Sequence, residues 1–151
     1  MPLTLDPETT TARLRVVDDH IRFECAHELD PLMGTFGSEP EWHNRAAEEV
    51  LNGHDSIREF YAKLFRGFPD FWLDVRQRRV AQDSVVVEGI LGGTHSGEWM
   101  GIKPTDKPAA VPFCAIFTFG DDNHLKSEIV YFDRLALLSQ LGVINLSASA
   151  K

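Results

Sequence analysis

Asp133 is the first candidate for chemistry. It closes a strand-like run ending Ile129-Val130-Tyr131-Phe132, and a charge among such neighbours is costly to bury without a reason. In apolar surroundings its carboxyl would gain proton affinity and could shuttle protons near neutrality. Alternation places Ile129, Tyr131 and Asp133 on one strand face, with Val130 and Phe132 on the other. The expectation is that the first set faces a cavity, with Tyr131 touching the substrate. The same aspartate also suits an N-cap for a helix beginning at Arg134, and both roles can hold if it sits at the cavity end.

His95 stands in Gly93-Thr94-His95-Ser96-Gly97. The flanking glycines permit a bend and the close approach of a ligand, and an imidazole exchanges protons at neutral pH. The plainer alternative is an exposed loop histidine. His27 and Asp30 lie three apart on the first expected helix, so they share a face. Such a pair fixes a histidine tautomer and raises its basicity, or it is a solvated helix end. The working assignment has Asp133 removing a carbon-bound proton, His95 and His27 serving the developing oxyanion, and Asp30 orienting His27.

His43, beside Trp42, is expected at the lip of the cavity. His20, His54 and His124 read as surface or turn positions. Trp72, Trp99, Phe113, Phe117, Met33 and Phe36 could line an apolar pocket, although aromatics at strand spacing are more often core. His27, Asp30, His43 and His95 include suitable metal-ligand types, but their spacings match no metal motif, and no metal is expected. Phosphate-binding glycine loops are absent, as is a Gly-x-Ser-x-Gly nucleophile elbow.

The elements that must position these groups follow from periodicity. Leu14, Val17, Ile21, Cys25 and Leu29 mark one helical stripe, which Asp30-Pro31 should end. Pro31–Gly37 reads as a turn or helix fragment. Glu39–Leu51 fits either a short hairpin or an irregular loop. Asn52-Gly53 signals a turn. Asp55, or Ser56, should cap a second helix carrying Ile57, Phe60, Tyr61, Leu64 and Phe65, which Gly67 ends. From Trp72 the period becomes two: strands are expected over Trp72–Ala81, Val85–Leu91 with an extension through Thr94–Met100, Val111–Phe119 and Leu125–Asp133, followed by a terminal helix. This order predicts an α+β fold, a curved antiparallel sheet with helices on one side, whose hollow can hold a small molecule.

The bulk numbers bound the rest. A chain of 151 residues suits one core; the expected division is an N-terminal arm over 1–11, a domain over 12–143 and a tail over 144–151. The net charge of −8 argues against nucleic-acid binding. No apolar run approaches membrane-spanning length, and Met1–Thr11 lacks a signal-peptide pattern. Cys25 and Cys114 form no Cys-x-x-Cys pair and read as buried free thiols. A reducing cytoplasm is the expected location.

Two segments resemble a known family: Gly93-Thr94-His95-Ser96-Gly97-Glu98-Trp99-Met100-Gly101-Ile102-Lys103-Pro104-Thr105, and Tyr131-Phe132-Asp133-Arg134-Leu135-Ala136-Leu137-Leu138-Ser139-Gln140-Leu141-Gly142. With Gly53–Tyr61 and Phe68-Pro69-Asp70, they make Leu14–Gly142 similar to the SnoaL-like polyketide cyclases, of the ketosteroid isomerase-like (nuclear transport factor 2-like) superfamily. The resemblance implies a cone-shaped α+β barrel, a deep apolar cavity, a small apolar substrate, a homodimer and no cofactor. It places the cyclases' catalytic aspartate at Asp133 and their pocket histidine at His95, and it implies intramolecular aldol closure. Asp106 after Pro104-Thr105, and Asn123-His124-Leu125 in the last hairpin, depart from the family pattern. The superfamily also holds isomerases, dehydratases, epoxide hydrolases and non-catalytic binders, so fold alone does not fix activity.

Overall fold

The structure, a computed structural model, describes residues 5–146. Residues 1–4 of the expected N-terminal arm and residues 147–151 of the expected tail lie outside the described residues. Helix α1 spans Pro7–Cys25, starting earlier than its apolar stripe suggests. Asp6 caps it by accepting from the Thr9 N–H at 2.9 Å, and Pro7 supplies a preset φ where no N–H is needed.

The first helix does not run on to Asp30. It stops at Cys25, and His27 adopts a left-handed φ of 57°. A separate short helix, α2, spans Leu29–Met33. Pro31 sits in its first turn, where a missing N–H costs nothing, so Asp30-Pro31 begins a helix instead of ending one. The ambiguous segment resolves as a hairpin of β1 (Phe36–Asn44) and β2 (Glu49–Asn52). Helix α3 spans His54–Gly67. Its N-cap is Gly53 at φ 85°, a conformation that disfavours side chains. Asp55 therefore lies inside the first turn, where its charge still suits the helix dipole.

Strands β3 (Trp72–Val80), β4 (Ser84–Thr94), β5 (Pro108–Phe119) and β6 (Leu125–Phe132) form the meander, and α4 spans Arg134–Gln140. The sheet order is β2-β1-β6-β5-β4-β3. It is an open, curved sheet with β2 and β3 as edges. Its one departure from the expected antiparallel pattern is β1, which runs parallel to β6.

Register decides which residues face inward. Phe117 pairs with Glu128, Ala115 with Val130 and Phe113 with Phe132; Trp42 also pairs with Glu128. These residues share the concave face with Val85, Val87 and Val111. Helix α1 rests against β3 and β4, α3 against β1 and β2, and α4 against β5. Val17, Ile21, Ile57, Tyr61 and Leu64 complete the core from the helical side. Each buried aliphatic or aromatic side chain contributes about 1.5–3 kcal/mol. No described helix is long and apolar enough to cross a membrane.

Candidate active site

A cavity opens between the concave sheet face and helices α1 and α3. Its wall is mostly apolar: Ile21, Phe60, Leu64, Phe68, Phe71, Trp99, Phe113, Phe117 and Val130 are among its lining residues. Its volume is ≈ 80 Å³, on a scale where one water needs about 10–15 Å³; it suits a ligand of about one ring.

Into this greasy hollow project two carboxylates, Glu24 from α1 and Glu128 from β6, together with the Tyr61 hydroxyl from α3. His20, one helical turn before Glu24, lies fully buried beside them. Tyr61 donates to Glu128 Oε2 at 2.6 Å, and His20 Nε2 lies 3.2 Å from that oxygen and 3.3 Å from the tyrosine oxygen. The other face of the imidazole is fixed. Thr35 donates its hydroxyl to the Leu32 carbonyl at 2.7 Å, so it accepts from His20 Nδ1–H at 2.8 Å. That contact orients Nε2 toward the carboxylates. Phe36 and Phe117 pack edge-on against the ring, each 5.3 Å between centroids.

Glu24 differs from Glu128. Its nearest polar partner is His20 Nε2 at 3.9 Å, and it makes no hydrogen bond among the described residues. Burial holds its proton affinity well above the ordinary carboxylate range, and the charge of Glu128 adds to the effect. Burial likewise raises Tyr61, with Glu128 and Glu24 contributing next. The buried Trp42 Nε1–H belongs to a side chain lining the same cavity; it makes no well-formed hydrogen bond among the described residues, although it lies close enough to the Tyr61 hydroxyl to offset a little of that group's rise.

The raised Glu24 value has a consequence for stability. The folded state binds this proton more tightly than the unfolded chain. The associated stabilisation is complete below the ordinary glutamate value and is lost as pH rises through the raised folded value. Within that window the loss is at most about 1.4 kcal/mol per pH unit. Urea unfolding at about pH 5 and about pH 7.5 should show this decline in the wild type and a flatter profile in Glu24→Gln.

The residues singled out in the sequence divide into three groups. Trp99, Phe113 and Phe117 line the cavity as expected. Met33 and Phe36 are buried core, Phe36 as a buttress of His20. The remaining positions require correction. Tyr131 is 48% exposed and pairs with Cys114 on the outer sheet face. Asp133 is exposed and caps α4, accepting from the Ala136 N–H at 2.8 Å. The facing set of β6 is thus Glu128, Val130 and Phe132, the reverse of the expectation. His43 lies on the outer face with Nε2 on Glu41 at 2.9 Å, and Trp72 is 39% exposed.

His95 is fully buried but behind the wall, stacked on Phe68 at 5.3 Å. The Thr105 N–H donates to its Nδ1 at 3.3 Å. The glycine after it admits the protein's own backbone, not a ligand: a Cβ on Gly97 would sit 2.1 Å from the Arg66 carbonyl oxygen. His27 donates from Nε2 to the Phe71 carbonyl at 3.2 Å and stacks on Phe65. Asp30 is exposed and pairs with Arg58 at 2.7 Å, so it does not orient His27. The exposed position of Asp133 carries an expectation of its own. Asp133→Ala should cost about 1 kcal/mol of stability through the lost cap while leaving the cavity's activity unchanged, as read by thermal unfolding alongside turnover.

Sequence reasoning missed His20, Glu24 and Glu128. The signal for the first two was present: Val17, His20, Ile21 and Glu24 follow helical spacing, so the histidine and glutamate share the buried face.

The curved sheet, the helices on its concave side and the apolar hollow with few polar groups define a ketosteroid isomerase-like fold. The family model for SnoaL-like polyketide cyclases matches residues 15–141, and the chain belongs to that family. Among solved structures, a protein named as a SnoaL-like polyketide cyclase from Jannaschia sp. CCS1 is similar at 23% identity and a TM-score of 0.81, covering 89% of this chain and 94% of that one. TsrD from Streptomyces laurentii aligns at 20% identity, TM-score 0.77, over 93% and 100% of the two chains. A protein with a ketosteroid isomerase-like fold from Catenulispora acidiphila, solved with trimethylamine, aligns at 18% identity, TM-score 0.73, over 84% and 92%. A search of the curated proteins finds no match.

Proposed function

We propose that the protein is an acid–base enzyme acting on a small apolar carbonyl compound held in this cavity. The observation that carries the reading is the meeting of Glu24 and Glu128, from separate elements, inside an otherwise apolar hollow. Paired carboxyl groups whose surroundings differ divide naturally into an acid and a base. Glu128 Oε2 is occupied by Tyr61 and His20, while its Oε1 takes no hydrogen bond among the described residues. In our reading Oε1 removes a proton from carbon. Glu24, kept protonated by burial, donates to the oxygen that gains charge. The Trp42 N–H, which makes no well-formed hydrogen bond among the described residues, is a second donor for that oxygen.

Intramolecular aldol closure, the reaction of the family's name, uses these parts, and isomerisation or dehydration would use the same ones. The cavity volume favours a substrate of about one ring. The test is exchange of α-hydrogens for deuterium in small cyclic ketones, followed by proton NMR. Catalysed exchange that depends on Glu128 supports the proposal; exchange no faster than buffer across a panel of one-ring ketones overturns it.

We also propose that the sheet's outer face pairs with a second copy of this chain. Tyr131, Ile129, Ile116, Cys114 and Val86 form adjoining cross-strand rows there. The Arg79–Glu88 ion pair continues these rows onto β3 and β4, and its charges compensate each other within one copy, which leaves the apolar stretch on β5 and β6 to face its equivalent across a two-fold axis. Sedimentation should show a dimer that Tyr131→Arg dissociates; a wild-type monomer at micromolar concentration contradicts it.

A further inference from the structure

His20, Glu24 and Glu128 bring three ligand-type atoms together beside the Tyr61 hydroxyl, which contacts His20 Nε2 and donates to Glu128 Oε2. Nε2 of His20 and the nearer carboxylate oxygens of Glu24 and Glu128 all lie within 4.8 Å of one another. Two of these separations are 3.2 and 3.9 Å. Donors around a tetrahedral zinc-like ion, at bond lengths near 2.0–2.2 Å, stand roughly 3.3–3.5 Å apart. Two of the three separations thus lie near ligating distance, and the Tyr61 hydrogen bond to Glu128 Oε2 is the contact an ion would displace.

Three further observations point to a cation. First, Thr35 holds Nδ1–H of His20, which leaves the Nε2 lone pair directed at the carboxylates. This is the outer-shell arrangement that metal-binding histidines use. Second, the Glu24 side chain is only 9% exposed and has no hydrogen-bond partner among the described residues. A buried carboxyl group is costly in that condition, with or without its proton. Third, two glutamates face one imidazole. Once a bound ion displaces the Glu24 proton to solvent, neutral histidine with two carboxylates carries a charge of minus two, which a single divalent ion cancels.

We propose that His20, Glu24 and Glu128 form a binding site for a divalent transition-metal ion of the zinc, iron or manganese class. Imidazole with two carboxylates suits those ions over calcium or magnesium. The fourth position faces the cavity, since Glu24, Glu128 and Tyr61 all line it. The ion and the acid–base chemistry use the same two carboxyl groups. The loaded and unloaded protein are thus different catalytic states, and metal binding can be read without reference to turnover.

The experiment uses the full chain, stripped with chelator and titrated with Co²⁺ alone. Calorimetry reads stoichiometry, and visible absorption reads coordination. The expected result is one Co²⁺ per chain with the intense absorption of a low-coordinate site, displaced by Zn²⁺. Glu24→Gln and Glu128→Gln should each weaken binding by at least about tenfold, while Asp133→Asn leaves it unchanged. Circular dichroism of each variant separates ligand loss from unfolding. Absence of stoichiometric binding in the wild type, or equal binding in folded Glu24→Gln and Glu128→Gln, overturns the site. Deuterium exchange by the stripped protein, run in parallel, distinguishes the two proposals: exchange without metal binding removes only the metal site, and metal binding with exchange only in the loaded form removes only the carboxylate assignment.

Discussion

Glu128→Gln should lower turnover by about 10²–10⁴-fold, the range supplied by a positioned acid or base, with little change in fold. The amide is isosteric and still accepts from Tyr61, whose hydroxyl lies 2.6 Å from Oε2 in the wild type. What it loses is the capacity to take a proton from carbon. The loss should fall in kcat, with KM nearly unchanged, because the aromatic wall that holds the substrate is untouched. The α-hydrogen exchange rate at saturating ketone is the relevant measurement. Activity within twofold of wild type would show that Glu128 is a structural acceptor for Tyr61 and His20 and nothing more.

The second large effect concerns stability. Gly97→Ala should destabilise the protein by at least about 1–3 kcal/mol, the usual range for forcing atoms into filled space. The added Cβ would meet the Arg66 carbonyl oxygen at 2.1 Å and its carbon at 2.9 Å, and backbone cannot swing aside as a flexible side chain can. The Gly97 N–H also bonds to the Gly67 carbonyl at 3.1 Å, so the loop cannot back away without losing that contact. For a chain of this size each kcal/mol lowers Tm by about 2–4 °C. Thermal unfolding checks it: a Tm within a degree of wild type would mean that the 95–99 loop is not pinned to the end of α3. The same contact explains why a glycine-flanked histidine resembled a ligand site. The close approach that the glycine permits is to the protein's own chain.

Much of the architecture was readable from periodicity. The switch from a 3.6-residue to a two-residue rhythm near Trp72 marks where helices give way to the meander, and Phe113 and Phe117 share the inward face because they lie an even number of positions apart on β5. The facing of β6 was not readable. Ile129 and Tyr131 are as apolar as Val130 and Phe132, so alternation alone offers two equal registers, and a one-residue choice inverts every side chain. Only the pairing partners, Trp42 on β1 and Phe117 on β5, decide it. Glu24 and Glu128 were overlooked because glutamate is rarely buried, and a rule that sends charges outward fails where charges do chemistry. Asp133 drew attention by closing an apolar strand, but a strand's last residue can turn back to cap the next helix, as this one does.

Acid catalysis in this hollow requires a glutamate that stays protonated there near neutral pH. Carbon-13 NMR of protein labelled at its glutamate carboxyls, titrated from acid to alkaline pH, tests it directly. One resonance, assigned by its loss in Glu24→Gln, should remain in the protonated range at pH values where the surface glutamates have already ionised. If the Glu24 resonance instead titrates together with those of the surface, the carboxyl is an ordinary solvated anion and the acid–base assignment is wrong.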